Sequence, residues 1–269
     1  MPAVRELSMK ILGKEPYKDI QPDEAVALGA AIQAGILSGQ IQGKVLIDVT
    51  PLSLGIETQG GLFTRIIERN TPIPVSQGQI FTNATDNQTS MDIHVLQGER
   101  DMAVDNMTLD RFDLSGISSM PRGEARVEVA FDIDANGILH VSANDLYGDS
   151  WQKVRVSSRF YGLPEEEIAR MVEEAVRFSE DDQKRREEVE INIKADNMVR
   201  AARQTIEEAD LEANLDLVDE VEKAILEVQT ALASGDSAEI TLRTEALEKQ
   251  VKVLYRETKY KREAEHVIS

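Results

Sequence analysis

Cysteine and histidine, which often act as nucleophiles, general bases or zinc ligands, are sparse in this chain of 269 residues. It has no cysteine, which excludes disulfides, thiolate nucleophiles and thiolate zinc ligands. The three histidines, His94, His140 and His266, are far apart in the sequence. Neither a histidine metal cluster nor a Ser–His nucleophilic pair is therefore indicated.

Two short motifs could in principle bind ions. Residues 132–137, DIDANG, have the spacing of the first half of a calcium loop, but Ala143 stands where that loop requires a glutamate. The Gly13-Lys14 pair lacks the rest of the G-x-x-x-x-G-K-[ST] phosphate-binding loop. We therefore expect neither a calcium site nor a phosphate loop, and we assign no catalytic and no metal-binding residue.

The composition restricts the classes of partner. The formal net charge is −19, which repels nucleic-acid phosphates and anionic lipids, and a hydrophobic fraction of 41% is enough for a packed core. The longest apolar stretches, around residues 25–37 and 45–54, are too short or too interrupted to span a bilayer. No charged-then-apolar leader opens the chain. We expect a folded cytoplasmic protein without nucleic-acid or membrane partners.

The spacing of apolar residues divides the chain into three regions. Helical spacing extends over residues 22–40, where Gly39 suits the end of a helix. Period-two alternation, interrupted often by Gly, Asn and Pro, predicts a β-domain over residues 49–158. Helical spacing returns after Gly162. The short run GKVLID at residues 43–48 is compatible with either a strand or a linker.

The β-region contains one clear hairpin. Its turn is Asn136-Gly137, a pair that favours tight hairpin connections. The face predicted to be buried consists of Val127, Val129, Phe131, Ile133, Leu139, Val141 and Ala143. Another alternating strand carries Met91, Ile93 and Val95. Several strands with one apolar face need a second sheet to cover them, which favours a sandwich.

The last region predicts an antiparallel helical bundle. Pro164 and the three glutamates after it suit the first turn of a helix. Two later amphipathic segments lie on either side of Gly235, and they carry Leu217, Val221, Ile225, Val228 and Leu232, then Ile240, Leu247, Val251 and Leu254. Short connections between such helices favour antiparallel packing.

Longer motifs identify a family. The segments are DVTPLSLGIETQGG at residues 48–61, NTPIP at 70–74, DNQ at 86–88 followed by IHVLQGER at 93–100, and FDIDANGILHVSA at 131–143. Together they resemble the peptide-binding domain of DnaK, the 70-kDa heat-shock chaperone family. The opening segments MPAV, GKEP and PDEAV resemble the end of the ATPase domain of that family.

The resemblance implies an α+β protein with four parts. Residues 1–42 would be the helical remnant of an actin-like nucleotide-binding domain, residues 43–48 an interdomain linker, residues 49–160 an antiparallel β-sandwich that binds peptides, and residues 161–269 a helical lid. A chaperone of this family binds extended hydrophobic segments of unfolded proteins and couples binding to ATP hydrolysis. Residues 1–42 are too few to enclose a nucleotide, so we expect no enzyme activity and no cofactor in this chain, although full-length members bind ATP and Mg²⁺.

Matching the family motifs residue by residue gives the expected site. The peptide groove would be formed by Ile56, Thr58, Phe81, Met91, Ile93 and Val127. An arch over the bound backbone would be formed by Gln59 and Ala84, and Gln59 stands where bacterial members carry methionine. The linker would consist of Val45, Leu46, Ile47 and Asp48. Two charge pairs, Arg122 with Asp196 and Asp86 with Arg200, would latch the lid.

Each of these assignments has an alternative. The apolar groove residues could equally form ordinary sandwich core, and the four latch residues could be solvated surface charges. The chain could be a peptide-binding module, an ATPase whose catalytic parts lie elsewhere, or a helical scaffold with a β-head. Expected partners are unfolded peptides, with a J-domain co-chaperone and a nucleotide-exchange factor in the full-length context. Self-association through the groove or the N-terminal helices is a further expectation.

Overall fold

We analysed a computed structural model, which describes residues 6–7, 9–11, 13, 21–41, 48–156, 163–209 and 215–268. The chain divides into two compact units, Met1–Asp48 and Val49–Ser269. Of the expected linker residues, Val45, Leu46 and Ile47 lie outside the described residues. Asp48 is described and is exposed.

The described part of the first unit is dominated by helix α1 (Pro22–Leu37). Proline at the first helical position is favourable because its missing N–H would have no intrahelical partner there. The helix ends before Gly39, as its sequence predicts. Val26, Leu28 and Ile32 on this helix are largely exposed.

The second unit begins with two antiparallel four-stranded sheets. Their strand orders are β2-β1-β4-β5 and β3-β6-β7-β8. The strands are β1 (Leu54–Thr58), β2 (Leu62–Ile67), β3 (Val75–Phe81), β4 (Ser90–Gln97), β5 (Met107–Ser115), β6 (Val127–Ile133), β7 (Leu139–Asp145) and β8 (Trp151–Val156). One core cluster unites apolar side chains from both sheets. This arrangement is a β-sandwich.

The predicted hairpin is confirmed as β6 and β7. Residues of β6 pair with β7 from Val127↔Asp145 to Ile133↔Leu139, and the predicted apolar face is buried along both strands. The turn uses the calcium-like motif: the Asp134 carboxylate accepts backbone hydrogen bonds from Ile138 at 2.9 Å and Asn136 at 2.8 Å. These bonds, chiefly that from Ile138, hold the pKa of Asp134 below its usual value. Within the described ranges, no three His, Asp or Glu side chains are grouped to hold a metal ion.

Strand β4 alternates as predicted, with Met91, Ile93 and Val95 packed on the sandwich core. Leu96 lies on the opposite face of the strand, where it is buried in a separate small cluster with Phe63 and Ala103. The pairing with β5 shifts between Val95 and Leu96 because β5 contains a bulge: Val95 pairs with Asp110 and Leu96 with Thr108, which leaves Leu109 as the extra residue.

In the described ranges after residue 156, four helices follow the sandwich. They are α2 (Glu165–Arg177), α3 (Ser179–Glu208), α4 (Leu215–Ser234) and α5 (Ser237–Ile268). The apolar faces of α3, α4 and α5 share one buried cluster that contains Val199, Val221, Val228 and Leu247. The amphipathic segments predicted on either side of Gly235 are thus confirmed as α4 and α5. The predicted α+β fold, a β-sandwich followed by a helical bundle, is confirmed.

Helix α3 also lies against the sandwich, and we call α2–α5 together the lid. Side chains from the first and middle turns of α3 form ion pairs with sandwich residues.

Among the helices of the described segments, none combines the length and the apolar character needed to cross a bilayer.

Candidate binding cleft beneath the lid

A cavity of about 690 Å³ lies between one end of the sandwich and helix α3. Three connections of the sandwich surround it, and we call them the rim loops: residues 59–61, 82–89 and 116–126. Helix α3 contributes Asn197, Arg200, Ala201 and Gln204 to the opposite wall. The space is therefore bounded by two parts of the unit that a movement of the lid would separate.

The floor of the cavity is apolar. Ile56 from β1 and Ile93 from β4 reach it although their side chains are only 3% and 1% exposed. Phe81 and Met91 line it as partly buried side chains. Thr58 is also at the wall, where its hydroxyl lies 2.9 Å from that of Thr64. Five of the six expected groove residues therefore meet at one cavity.

Val127, the sixth expected groove residue, is placed elsewhere. It is fully buried in the sandwich core, between Phe81 of β3 and Asp145 of β7, and it is not part of the cavity wall. By the alternation of β6, Val127 lies on the same face as Val129 and Phe131, toward the sandwich core. Its assignment to the groove stays a prediction.

The expected arch residues, Gln59 and Ala84, both line the cavity. The Gln59 side-chain oxygen accepts a hydrogen bond of 3.0 Å from the Arg122 guanidinium. The Ala84 backbone N–H donates to the Gln88 side chain at 2.8 Å. A polar connection across the rim is thus made between Gln59 and Arg122.

Of the two expected latch pairs, Asp86 with Arg200 is formed and Arg122 with Asp196 is not. Arg200 of α3 pairs with Asp86 at 3.3 Å, and the other oxygen of Asp86 accepts the backbone N–H of Arg122 at 2.8 Å. Arg122 and Asp196 do not form an ion pair within 4.0 Å; both residues are in the described part of the chain, and Asp196 is exposed on α3. The Arg122 guanidinium is bonded to Gln59 instead.

Asn83 is a rim residue that sequence reasoning missed. Its side chain is 2% exposed, and its Nδ2 donates toward the carbonyl oxygens of Thr85, Met120 and Pro121 at 2.9–3.0 Å. Its Oδ1 accepts the backbone N–H groups of Gly123 and Ala125. One buried amide therefore joins two rim loops, and its partners in the second loop are 37 to 42 positions away in the sequence, so they give no local signal.

A second contact between lid and sandwich was also missed. Arg100 donates two hydrogen bonds to Asp182 of α3, at 2.5 and 2.8 Å, and these side chains are only 13% and 4% exposed. Phe178 packs against the Arg100 guanidinium with 4.5 Å between the guanidinium carbon and the ring centre. The hydrogen bonds from Arg100 lower the pKa of Asp182 below its usual value, although burial opposes this shift.

The fold and the site together define a protein with a β-sandwich whose end cleft is covered by a helical lid. The family model described as Hsp70 protein matches residues 1–260. The chain belongs to the Hsp70 family. Hsp70 proteins are molecular chaperones that hydrolyse ATP, and a chaperone role in general follows from this membership.

Proposed function

We propose that the cleft binds short extended segments of unfolded polypeptides through their apolar side chains. The observation that supports this most is the apolar floor of Ile56, Phe81, Met91 and Ile93 inside a cavity of about 690 Å³. Segments of many sequences share an exposed backbone and occasional large apolar residues. A pocket beside polar loops matches both features.

The expected affinity is moderate. Burying one Leu-sized side chain contributes roughly 1.5–3 kcal/mol, and each main-chain hydrogen bond contributes about 1 kcal/mol. An extended heptapeptide is about 23 Å long at roughly 3.3 Å per residue, so only its central residues fit in the cavity. We therefore expect a dissociation constant in the micromolar range, which corresponds to a binding free energy of about −8 kcal/mol.

The remaining family features are part of the same proposal. Residues 1–42 are the end of a nucleotide-binding domain, residues 43–48 the linker, residues 49–160 the peptide-binding domain and residues 161–269 the lid. We expect no ATP hydrolysis by this chain alone, because residues 1–42 are too few to enclose the nucleotide. A cytoplasmic location and co-chaperone partners are inferred from the DnaK-like motifs.

The decisive experiment is a titration of the purified chain with a fluorescent Leu-rich heptapeptide. Saturable binding with slow release supports the proposal, whereas no binding at tens of micromolar peptide contradicts it and favours a scaffold function. A parallel titration with labelled ATP tests the alternative that this chain is an ATPase. We expect no binding of ATP, and saturable binding would support that alternative.

The size of the side chain at Met91 should set the residue preference. Met91→Val enlarges the floor, so peptides with a central Phe should gain about fivefold in affinity over peptides with a central Leu, a difference near 1 kcal/mol. Met107→Val is the matched control, because Met107 is also partly buried but lies on β5 away from the cavity. If both variants and the unmodified protein show the same Phe-to-Leu preference, Met91 does not form part of the floor that contacts the peptide.

Removing Arg200 should loosen the lid more than removing Asp196. Arg200→Ala deletes the pair with Asp86, whose side chains are 44% and 60% exposed, so the release rate should rise by at most about fivefold. Asp196→Ala should leave release unchanged, because among the described residues no hydrogen bond or ion pair joins Asp196 to a rim loop. Stopped-flow release of the labelled heptapeptide measures both rates. A larger effect from Asp196→Ala would show that the lid closes in another register.

A further inference from the structure

The edge strands of the sandwich differ in the charge they carry. Among the described residues, the edges are β2 and β5 in one sheet and β3 and β8 in the other. Ionisable side chains lie on three of these strands: Arg65 on β2, Asp110, Arg111 and Asp113 on β5, and Lys153 and Arg155 on β8. Strand β3 has none. Charges on an edge strand oppose its pairing with the strands of other molecules, so β3 lacks a protection that the other three edges have.

The edge of β3 is also open to solvent. All five residues from Ser76 to Ile80 are exposed, and Ile80 is 47% exposed although it is a large apolar residue. In the described part of the chain, the backbone of β3 is hydrogen-bonded to no strand other than β6. A strand that is paired on one side has a row of unpaired N–H and C=O groups on the other. These groups are available to an added strand.

The sequence of β3 suits pairing with a second copy of itself. Gln77 and Gln79 lie on one face of the strand, at equal distances on either side of Gly78. An antiparallel pair centred on Gly78 therefore sets Gln77 opposite Gln79 of the second copy, and does so twice. Each amide has donors and an acceptor, so these opposed side chains can hydrogen-bond to each other. The chain has a net charge of −19, but no ionisable side chain of β3 itself would repel the other copy.

We propose that β3 is an interface between two copies of this chain, which pair as antiparallel edge strands and form one continuous sheet. The contact is isologous, so it closes at two copies and leaves neither β3 edge free. One strand pair is a small interface, so we expect a dissociation constant on the order of 100 μM. The inference goes beyond peptide binding and does not depend on it, because residues 76–80 do not line the cavity.

Sedimentation velocity of the full chain over a series of concentrations tests the interface. The unmodified protein should form a dimer whose fraction rises with concentration. Gln77→Lys combined with Gln79→Lys should raise the dissociation constant at least about tenfold, because lysines then face each other at both symmetric positions. Gln77→Glu combined with Gln79→Glu should have the same effect. Gln152→Lys is the matched control on the edge strand β8, and it should change the dissociation constant by less than about twofold.

An equal mixture of the lysine and glutamate double variants should dimerise again, since each lysine then lies opposite a glutamate. This restoration also shows that both variants are folded. A chain that stays monomeric at every concentration, a dimer that the lysine variant leaves intact, or a mixture that fails to dimerise would overturn the inference. Each of these results leaves the proposed peptide binding intact.

A cross-link at Gly78 tests the register. The chain has no cysteine, and a Cβ added at Gly78 would have the Ala130 Cβ as its nearest neighbour, at 3.4 Å. Opposed Cα atoms of antiparallel strands are about 4.5–5.5 Å apart, within the range of roughly 4.4–6.8 Å that a disulfide spans. Gly78→Cys should therefore form a disulfide between two copies under mild oxidation, whereas Gln152→Cys should not. Equal cross-linking of both variants would contradict pairing at β3.

Discussion

Asp182→Asn should weaken the docking of α3 on the sandwich by about 2–3 kcal/mol. The substitution leaves Arg100 partly buried without its main carboxylate, and breaking a buried ion pair costs on the order of 3–5 kcal/mol. We expect less than that full range because the Asp105 carboxylate remains 3.5 Å from Arg100. Because the chain has no cysteine, fluorophores at Gln79→Cys and Glu220→Cys, both exposed, can report the separation of lid and sandwich.

Two controls separate lid docking from a general loss of stability. The double variant Arg100→Met, Asp182→Leu replaces the pair by apolar groups and should recover much of the docking, because such replacements are often neutral. Glu190→Gln removes an exposed pair with Arg186 on the same helix and should cost less than about 1 kcal/mol. An unchanged fluorophore distance in Asp182→Asn would contradict the role of this pair.

The same pair predicts how lid docking depends on pH. The pKa of Asp182 is lowered in the folded protein, so its contribution is fully present above the unfolded pKa of about 3.9. The contribution is lost as the pH falls through the lower, folded-state pKa. The fluorophore distance should therefore stay constant between about pH 5 and 8 and increase only in strong acid. The double variant, in which neither residue of this pair is ionisable, should show a smaller acid transition, since only the exposed pairs such as Asp86 with Arg200 remain.

Gly60→Ala should force the lid away from the rim. A Cβ at this residue would lie 2.3 Å from Val189 Cγ1 of α3, and the stiff, β-branched valine cannot rotate away without cost. Overpacking of this kind costs about 1–3 kcal/mol, so peptide release should accelerate by roughly tenfold or more. Stopped-flow release and the fluorophore distance provide independent measurements of the opening.

Gly61→Ala is a closely matched control. Both glycines have positive φ, 81° and 73°, so alanine at either residue introduces similar backbone strain of about 1–2 kcal/mol. At Gly61, however, the nearest atoms to an added Cβ are 3.9 Å away. Gly61→Ala should therefore lower stability without speeding release. If both variants release peptide equally fast, strain in the rim loop rather than contact with α3 is responsible.

Local periodicity predicted the elements of this fold more completely than their contacts. The alternation from Val127 to Ala143 and the Asn136-Gly137 turn are sufficient for a hairpin, because pairing and burial there depend on neighbouring residues. The bulge in β5 opposite Val95 and Leu96 escaped prediction because it depends on the pairing of two strands. The same alternation predicted the burial of Val127, whereas its assignment to the groove depends on the family register alone.

The contacts that hold the lid were predicted only in part. Arg100 and Asp182 are 82 residues apart, and neither has a sequence neighbour that marks it as half of a buried pair. The ion pair of Asp86 with Arg200 lies where the family motif suggested, but the Arg122 side chain is bonded to Gln59 rather than to Asp196. Such orientations arise from tertiary packing and have no periodic signature.

Asp86 has two roles that cannot be changed separately. One carboxylate oxygen fixes the backbone of Arg122, and the other binds Arg200 of α3. A ligand that alters the position of Arg122 therefore changes the strength with which α3 is retained, and by thermodynamic reciprocity the docking of α3 changes the affinity for that ligand by the same factor. The shape of the rim and the retention of α3 are coupled through a single side chain.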